Sequence, residues 1–153
     1  MNKSDYAETI SLIERLHRRF LDVLRVELDR LGIADINNAQ GLLLANIGRQ
    51  EVSVGELMSR GYYLGSNVTY NLKRLVETGY VAQERSQRDR RVVRIRLTER
   101  GLQLSQKLAL VLEHQSQDVA ADPKLADLAE LNAYLRALEG FWSTRVARVA
   151  AKA

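Results

Sequence analysis

The sequence predicts a mainly α-helical fold with one small β-hairpin. Apolar residues recur every three or four positions through most of the chain, which is the period of amphipathic helices. Over residues 93–97 the period changes to two, because valine, isoleucine and leucine alternate with arginine. The chain has 153 residues, 46% of them hydrophobic, so residues 1–153 can bury a core as a single domain.

Two helices are predicted before the centre of the chain. The first covers residues 5–31 as a long amphipathic helix, and Gly32 ends it because glycine adopts the left-handed conformation of a helix stop. The second covers residues 38–47 and is mostly apolar, which indicates burial. Asp35 or Asn37 is the candidate N-cap of this second helix.

Two shorter helices follow. Ser53 and Glu56 form an S-x-x-E capping box, in which each side chain bonds a free backbone amide at a helix start, and this helix reaches about residue 60. The next helix covers residues 64–78 and ends at Gly79. Its apolar stripe, which should face the core, consists of Val68, Leu72, Leu75 and Val76.

A hairpin comes next, with strands over residues 80–85 and 93–97 and a charged tip between them. Thr98 is then the natural N-cap of a helix that runs to about residue 120. Asp122 and Pro123 stand in the order preferred for the N-cap and first position of a helix, so they are predicted to begin the last one.

The first and last helices carry narrow apolar stripes close to a heptad repeat. These stripes are longer than the central module can cover, so a second copy of the chain is the simplest burial partner. We therefore assign residues 5–31 and 102–150 to a homodimerisation region and residues 36–101 to the central module. In the alternative, the first and last helices cover each other within one monomer.

The positive charge of the chain is concentrated in the central module. Residues 53–101 contain ten Lys or Arg and five Asp or Glu, whereas the rest of the chain has thirteen basic and fourteen acidic residues. Four arginines lie within residues 85–91. Such segregation is an electrostatic footprint for a polyanion, so double-stranded DNA is the expected partner, with a solvated charged surface as the alternative.

The order of elements sharpens this expectation. A short helix, a turn and a second helix make a helix-turn-helix, and the hairpin makes it a winged helix-turn-helix module flanked by long dimerisation helices. With its apolar stripe inward, the helix over residues 64–78 turns side chains that contact DNA grooves outward or to its flanks. These predicted DNA-binding residues are Ser66, Asn67, Thr69, Tyr70, Lys73 and Arg74.

Two stretches resemble the MarR-type winged-helix transcriptional regulators. Residues 65–75, GSNVTYNLKRL, followed by GYV at 79–81, resemble the recognition helix of that family and its exit. Residues 88–91, RDRR, followed by LTERG at 97–101, resemble its wing signature. The resemblance implies that the wing binds DNA through Arg88, Arg90 and Arg91. The resemblance also implies that Asp89 and Arg91 brace the wing, while Arg88 or Arg90 reaches the minor groove.

The resemblance also implies a function. It predicts a sequence-specific transcriptional regulator, by default a repressor, that binds a pseudo-palindromic operator as a homodimer and is released by a small-molecule effector. The alternatives are a transcriptional activator and a sequence-indifferent architectural DNA-binding protein. A helical protein whose arginine-rich hairpin meets an acidic protein partner is a further alternative.

Three residues are candidates for binding the effector. His17 lies among arginines on the first helix, where the alternative is a solvated basic face. Tyr62 and Tyr63 stand in a turn that is more aromatic than the polar turn of the family. Because the chain has no cysteine, an effector would bind without thiol chemistry.

Other classes of function lack their sequence signatures. The two histidines, His17 and His114, fall on different predicted helices, and no nucleophile motif, zinc spacing or phosphate-binding loop is present. We therefore expect neither catalytic activity nor a metal or cofactor. The N-terminus has no secretion signal and no apolar run could span a membrane, so we expect a cytoplasmic protein associated with the bacterial nucleoid.

Overall fold

The computed structural model describes residues 3–59, 65–125 and 127–151. The chain divides into two compact units, residues 1–111 and 112–153. The predicted mainly helical class with a small antiparallel sheet is confirmed. In chain order the elements are α1 (Lys3–Arg30), α2 (Asn38–Ile47), β1 (Val52–Ser53), α3 (Val54–Ser59), α4 (Gly65–Glu77), β2 (Val81–Arg85), β3 (Val93–Leu97), α5 (Glu99–Ala121) and α6 (Leu128–Ala150).

The start of α2 is fixed by a capping box. The Asn37 side chain accepts a hydrogen bond from the backbone N–H of Gln40 at 2.9 Å, and the Gln40 side chain accepts one from the N–H of Asn37 at 2.9 Å. Nδ2 of Asn38 donates to the carbonyl of Leu21 in α1 at 3.0 Å. Asn37 is therefore the N-cap, and Asp35, the other candidate, contacts a different part of the chain.

The core of the first unit is formed by one face of each helix and by the sheet. α2 is the most buried of its helices, as expected from its apolar run, and α4 contributes its predicted inward stripe. Since these side chains meet in one cluster, the unit fixes α4 in place by packing. The buried apolar residues are Leu24, Leu28, Ile36, Leu43, Leu44, Ile47, Val52, Leu57, Val68, Leu72, Leu75, Tyr80, Val81, Ile95, Leu97, Leu104 and Leu108.

The sheet has three antiparallel strands in the order β1-β3-β2. The predicted hairpin is present, with Val81 opposite Leu97 and Arg85 opposite Val93. Sequence analysis missed β1, in which Val52 pairs with Ile95, because two residues are too few to show an alternating pattern. The missed strand joins the start of α3 directly to the hairpin.

The last helix begins later than predicted. Asp122 and Pro123 lie outside any helix, because α5 ends at residue 121 and the Asp122 carboxylate accepts a hydrogen bond from the Lys124 backbone N–H at 2.9 Å. This bond closes a local turn, and because no helix follows directly, Asp122 is not a helix cap. The true N-cap of α6 is Asp127, whose carboxylate accepts from the Glu130 N–H at 3.0 Å.

The second unit consists of the end of α5 and of α6. No residue of α6 is buried. Its exposed large apolar side chains are Leu128, Leu131, Tyr134, Leu135, Phe141, Val146 and Val149. Within the described residues, no helix is long and apolar enough to cross a membrane.

Candidate nucleic-acid interface

The predicted recognition helix, α4, has one buried and one exposed face. Val68 and Leu75 are fully buried, which places the inward stripe as the sequence predicted. Asn67, Thr69 and Tyr70 are exposed, and Tyr70 exposes 68% of its surface. The exposed phenol hydroxyl of Tyr70 and the short polar side chains of Asn67 and Thr69 suit contacts to bases and phosphates.

The C-terminal half of this face is basic. The side chains of Lys73 and Arg74 are 77% and 48% exposed, and both contact Glu77, at 4.0 Å and 3.6 Å. The Lys73 contact has the i, i+4 spacing of a helical ion pair, and that of Arg74 has the i, i+3 spacing. Exposed ion pairs of this kind are weak, so either cation can exchange Glu77 for a phosphate or a base edge. Ser66 lies in α4, but its side chain is outside the described residues.

The tip of the wing is organised by Ser86 and Asp89. The Ser86 hydroxyl accepts from the backbone N–H of Arg88 at 3.3 Å, and its own N–H donates to the carbonyl of Val92 at 2.9 Å. The Asp89 carboxylate accepts from the Arg91 N–H at 3.0 Å and lies 3.8 Å from Nε of Arg91. Asp89 and Arg91 are thus in the contact that the resemblance implies for a wing brace.

The arginines of the hairpin differ in how far they are neutralised. Within the described residues, Arg88 and Arg90 have no acidic partner in an ion pair. Arg94 instead pairs with Glu51, and Arg96 lies 4.0 Å from Glu84. The charge count treated these arginines alike, because a sequence does not show which acids fold against which bases. The free positive charge of the wing is therefore concentrated at its tip.

The end of α4 is joined to the start of α5. Tyr80, 1% exposed, donates its hydroxyl to Oδ1 of Asp35 at 2.9 Å, and Nη2 of Arg100 donates to Oδ2 of the same carboxylate at 2.7 Å. Burial, and then the hydrogen bond to Asp35, raise the pKa of the Tyr80 hydroxyl above its ordinary value. The phenol is therefore held in its neutral, hydrogen-donating form.

An open groove of about 750 Å³ lies beside α4, between that helix, α3 and the sheet. Its wall is mainly apolar, with Val54, Met58, Leu72 and Val92 among the lining residues, and Lys73 also lines it. His17, a predicted effector-binding residue, is exposed on α1 and does not line this groove. The other two candidates, Tyr62 and Tyr63, lie outside the described residues.

The chain matches a known family over its central module. The sequence model described as the MarR family matches residues 34–92, which include α2, α3, α4, β2 and the tip of the hairpin but end before β3. This segment is a MarR-family module. The MarR family and its fold are those of DNA-binding transcriptional regulators and not of enzymes. Among the described residues, no group of three or more His, Asp or Glu side chains could hold a metal ion.

A curated relative extends the match. Over 99 residues, the chain is 50% identical to the exopolysaccharide II synthesis transcriptional activator ExpG of Rhizobium meliloti (strain 1021). The match covers 65% of this chain and 51% of the relative. The chain thus spans about half the length of the curated relative that it matches.

Solved structures of MarR-family proteins share the fold. The reduced form of MarR from E. coli is 26% identical, with a TM-score of 0.63 over 84% of this chain and 93% of that one. FabT from Streptococcus pneumoniae in complex with DNA has a TM-score of 0.72 at 21% identity, over 90% of this chain and 97% of that one. The recognition made from the two sequence stretches is confirmed.

Proposed function

We propose that this chain is a sequence-specific DNA-binding transcriptional regulator that reads duplex DNA with α4. The observation that carries the proposal is the exposed polar face of α4 in a MarR-family module, with Asn67, Tyr70 and Arg74 on that face. Arg74 and Asn67 can make bidentate contacts to guanine and adenine in the major groove. Lys73 and the hydroxyl side chains would contact phosphates, which fix the register of the helix on DNA.

The wing adds a second contact. Arg88 and Arg90 project from a tip that backbone hydrogen bonds hold in shape, and no acidic side chain of the described part of the chain neutralises them. Arginines in this state favour the narrow minor groove next to the bases that α4 reads, because the negative potential is strongest there. Direct readout by α4 and shape readout by the wing would then act on one half-site.

The second half-site requires a second copy of the chain. α6 has an exposed apolar face and no buried residue, and α1 exposes Leu12, Leu16, Val23 and Val26 in addition. Exposed apolar faces along two long helices indicate a protein interface, and the simplest partner for them is the same face of an identical chain. A homodimer would bind an inverted repeat with half-sites about one helical turn, ~34 Å, apart.

The name of the relative bears on whether the chain activates or represses transcription. Family resemblance favours repression by default, whereas the relative of 50% identity is named an activator of exopolysaccharide II synthesis. We therefore favour activation, with genes for exopolysaccharide synthesis as the first place to search for operators. A promoter fusion to a reporter, with and without the gene for this chain, would show higher expression with it. Lower expression in the presence of the gene would instead indicate that the chain is a repressor.

The groove beside α4 supports a small-molecule effector. Its apolar wall and the nearby ammonium of Lys73 suit an organic molecule with an apolar body and an anionic group. A ligand in that groove would compete with DNA for Lys73 and Thr69, which line it from α4. By linkage, DNA would weaken effector binding by the same factor. Aromatic carboxylates screened by thermal shift with and without operator DNA would test this, and equal shifts in both would contradict it.

Selection of the purified protein on a random double-stranded DNA library tests the function itself. An enriched inverted repeat is expected. Arg74→Ala should relax the enriched sequence at one position of each half-site, while the matched variant Arg49→Ala, which removes an exposed arginine between α2 and β1, should keep it. Binding without enrichment would instead indicate an architectural DNA-binding protein. Absence of binding would contradict the proposal and point to an acidic protein partner.

A further inference from the structure

Three residues that are distant in sequence meet where α4 ends. We call Asp35, Tyr80 and Arg100 the exit junction. Asp35 lies between α1 and α2, Tyr80 follows α4, and Arg100 lies in the first turn of α5. One carboxylate receives both donors, the Tyr80 hydroxyl at 2.9 Å and Nη2 of Arg100 at 2.7 Å.

Arg100 makes two further contacts with the end of α4. Its Nη1 donates to the carbonyl of Thr78 at 2.6 Å, and its guanidinium carbon lies 4.2 Å from the centre of the Tyr80 ring. The carbonyls at a helix C-terminus carry partial negative charge, so a cation is favoured there. The guanidinium is therefore committed to Asp35, Thr78 and Tyr80.

The backbone joins the same two elements. The N–H of Thr98 donates to the carbonyl of Tyr80 at 3.0 Å, and the Thr98 hydroxyl donates to the carbonyl of Gly79 at 2.6 Å. Gly101 lies so close to the Tyr80 carbonyl that a Cβ at this position would overlap it. The exit of α4 is thus held against the start of α5 at several points.

We propose that Asp35 and Arg100 are positioning residues for DNA binding, which act by holding the C-terminal end of α4 against α5. The inference rests on the proposed DNA-binding function and goes beyond it, because neither residue lies on the exposed face of α4. Base readout requires a recognition element to be held within about 0.5 Å of its productive position. Without the exit junction, α4 would keep its apolar core contacts and lose the restraint at its C-terminal end.

Two other roles for Arg100 make different predictions. If Arg100 bound a phosphate, removing it would reduce the slope of log affinity against log salt by about one. Replacing Asp35 with asparagine would then leave affinity unchanged or raise it, because an acidic neighbour of the cation is lost. If the junction served stability alone, its variants would lower the free energy of unfolding and leave the affinity of the folded protein unchanged.

The test compares Asp35→Asn, Arg100→Gln and the double variant for affinity to a selected duplex, by fluorescence anisotropy over a range of salt concentrations. Each single variant should weaken DNA binding about tenfold. The double variant should bind no more weakly than whichever single variant binds DNA less tightly, because Asp35 and Arg100 share one interaction. The salt slope should stay that of the wild type. Arg49→Gln, which removes an exposed arginine between α2 and β1, is the matched control and should leave affinity unchanged.

Arg100→Lys gives a second test if Arg100→Gln unfolds. Lysine keeps the charge but cannot reach Asp35 and Thr78 together, so affinity should lie between those of the wild type and of Asp35→Asn. Wild-type affinity for Arg100→Lys, or a rise in affinity for Asp35→Asn, would overturn the positioning role. A wild-type protein that binds no duplex would overturn both this inference and the proposed function, whereas wild-type binding with unchanged variants overturns the inference alone.

Discussion

Nε2 of Gln40 donates a hydrogen bond to Oδ1 of Asn71 at 3.3 Å, and this contact joins α2 to the predicted recognition helix. Gln40 is 3% exposed, and its Oε1 accepts from the N–H of Asn37 at 2.9 Å. Its amide therefore bonds both the cap of its own helix and the half-buried flank of α4. Apolar packing alone lets a helix rotate slightly about its axis, whereas a directional bond on one flank limits that rotation.

Replacing Gln40 with leucine should destabilise the protein. The change removes the hydrogen bonds of Gln40 to the Asn37 N–H and to the Asn71 side-chain oxygen, and the loss of two such bonds costs about 1–3 kcal/mol. Urea unfolding followed by circular dichroism measures the loss. Asn71→Ala removes only one of the two hydrogen bonds and should lose less, so equal losses for the two variants would contradict this account.

Arg74→Ala and Arg90→Ala should weaken DNA binding in different ways. Arg74 lies on the exposed face of α4, so its loss should cost roughly 1–3 kcal/mol and relax sequence preference at one position. Arg90 lies at the wing tip, so its loss should lower affinity for every sequence and reduce the salt slope by about one. Binding to a panel of single-base operator variants at several salt concentrations separates the two effects. An unchanged preference in Arg74→Ala would show that α4 does not read bases through this residue.

Stability should fall at alkaline pH through Tyr80. Its pKa is raised in the folded state, by burial first and then by the hydrogen bond to Asp35. The neutral phenol therefore contributes stability that is fully present below its ordinary pKa of about 10 and is lost as pH rises through the folded value. Unfolding free energies from about pH 8 to pH 11 should fall more steeply for the wild type than for Tyr80→Phe. Parallel curves would contradict the assignment.

Gly101→Ala should destabilise the chain by more than an ordinary substitution in a helix. A Cβ there meets the backbone oxygen of Tyr80, which cannot move without breaking its bond to Thr98, and overpacking of this kind costs about 1–3 kcal/mol or more. Gly140→Ala in α6 is the matched control, because no described atom lies within 4 Å of its added Cβ. Alanine is the better helix former, so this control should gain about 0.5–1 kcal/mol. Thermal unfolding of both variants measures the contrast.

Local signals in the sequence predicted most of the helix boundaries. Gly32 and Gly79 end helices with positive φ angles of 71° and 79°, and the Ser53 and Glu56 capping box forms as its spacing indicates. The predicted start of α6 was wrong because, in the sequence, Asp122 and Asp127 are equally good candidates for the helix cap. Only the folded chain shows that the first makes a turn.

Contacts between distant residues could not be predicted in this way. The bond from Asp35 to Arg100 spans 65 positions, and that from Gln40 to Asn71 spans 31. No pattern in the sequence identifies these partners, because many other polar side chains have the same hydrogen-bonding groups. The net positive charge of the module was visible from composition, but the acids that neutralise part of it were not. The sequence therefore indicated the face of α4 and missed what holds it.

The exposure of α6 has a thermodynamic consequence. A helix of 23 residues with none buried gains little from packing within its own chain, so association with a second copy would add to its order. If two copies share that face, the folded and unfolded states differ in the number of particles. The midpoint of thermal unfolding would then rise with protein concentration, and dilution alone would reduce the fraction of chains able to bind an operator. The amount of regulator in a cell would therefore set its folded fraction as well as its occupancy of DNA.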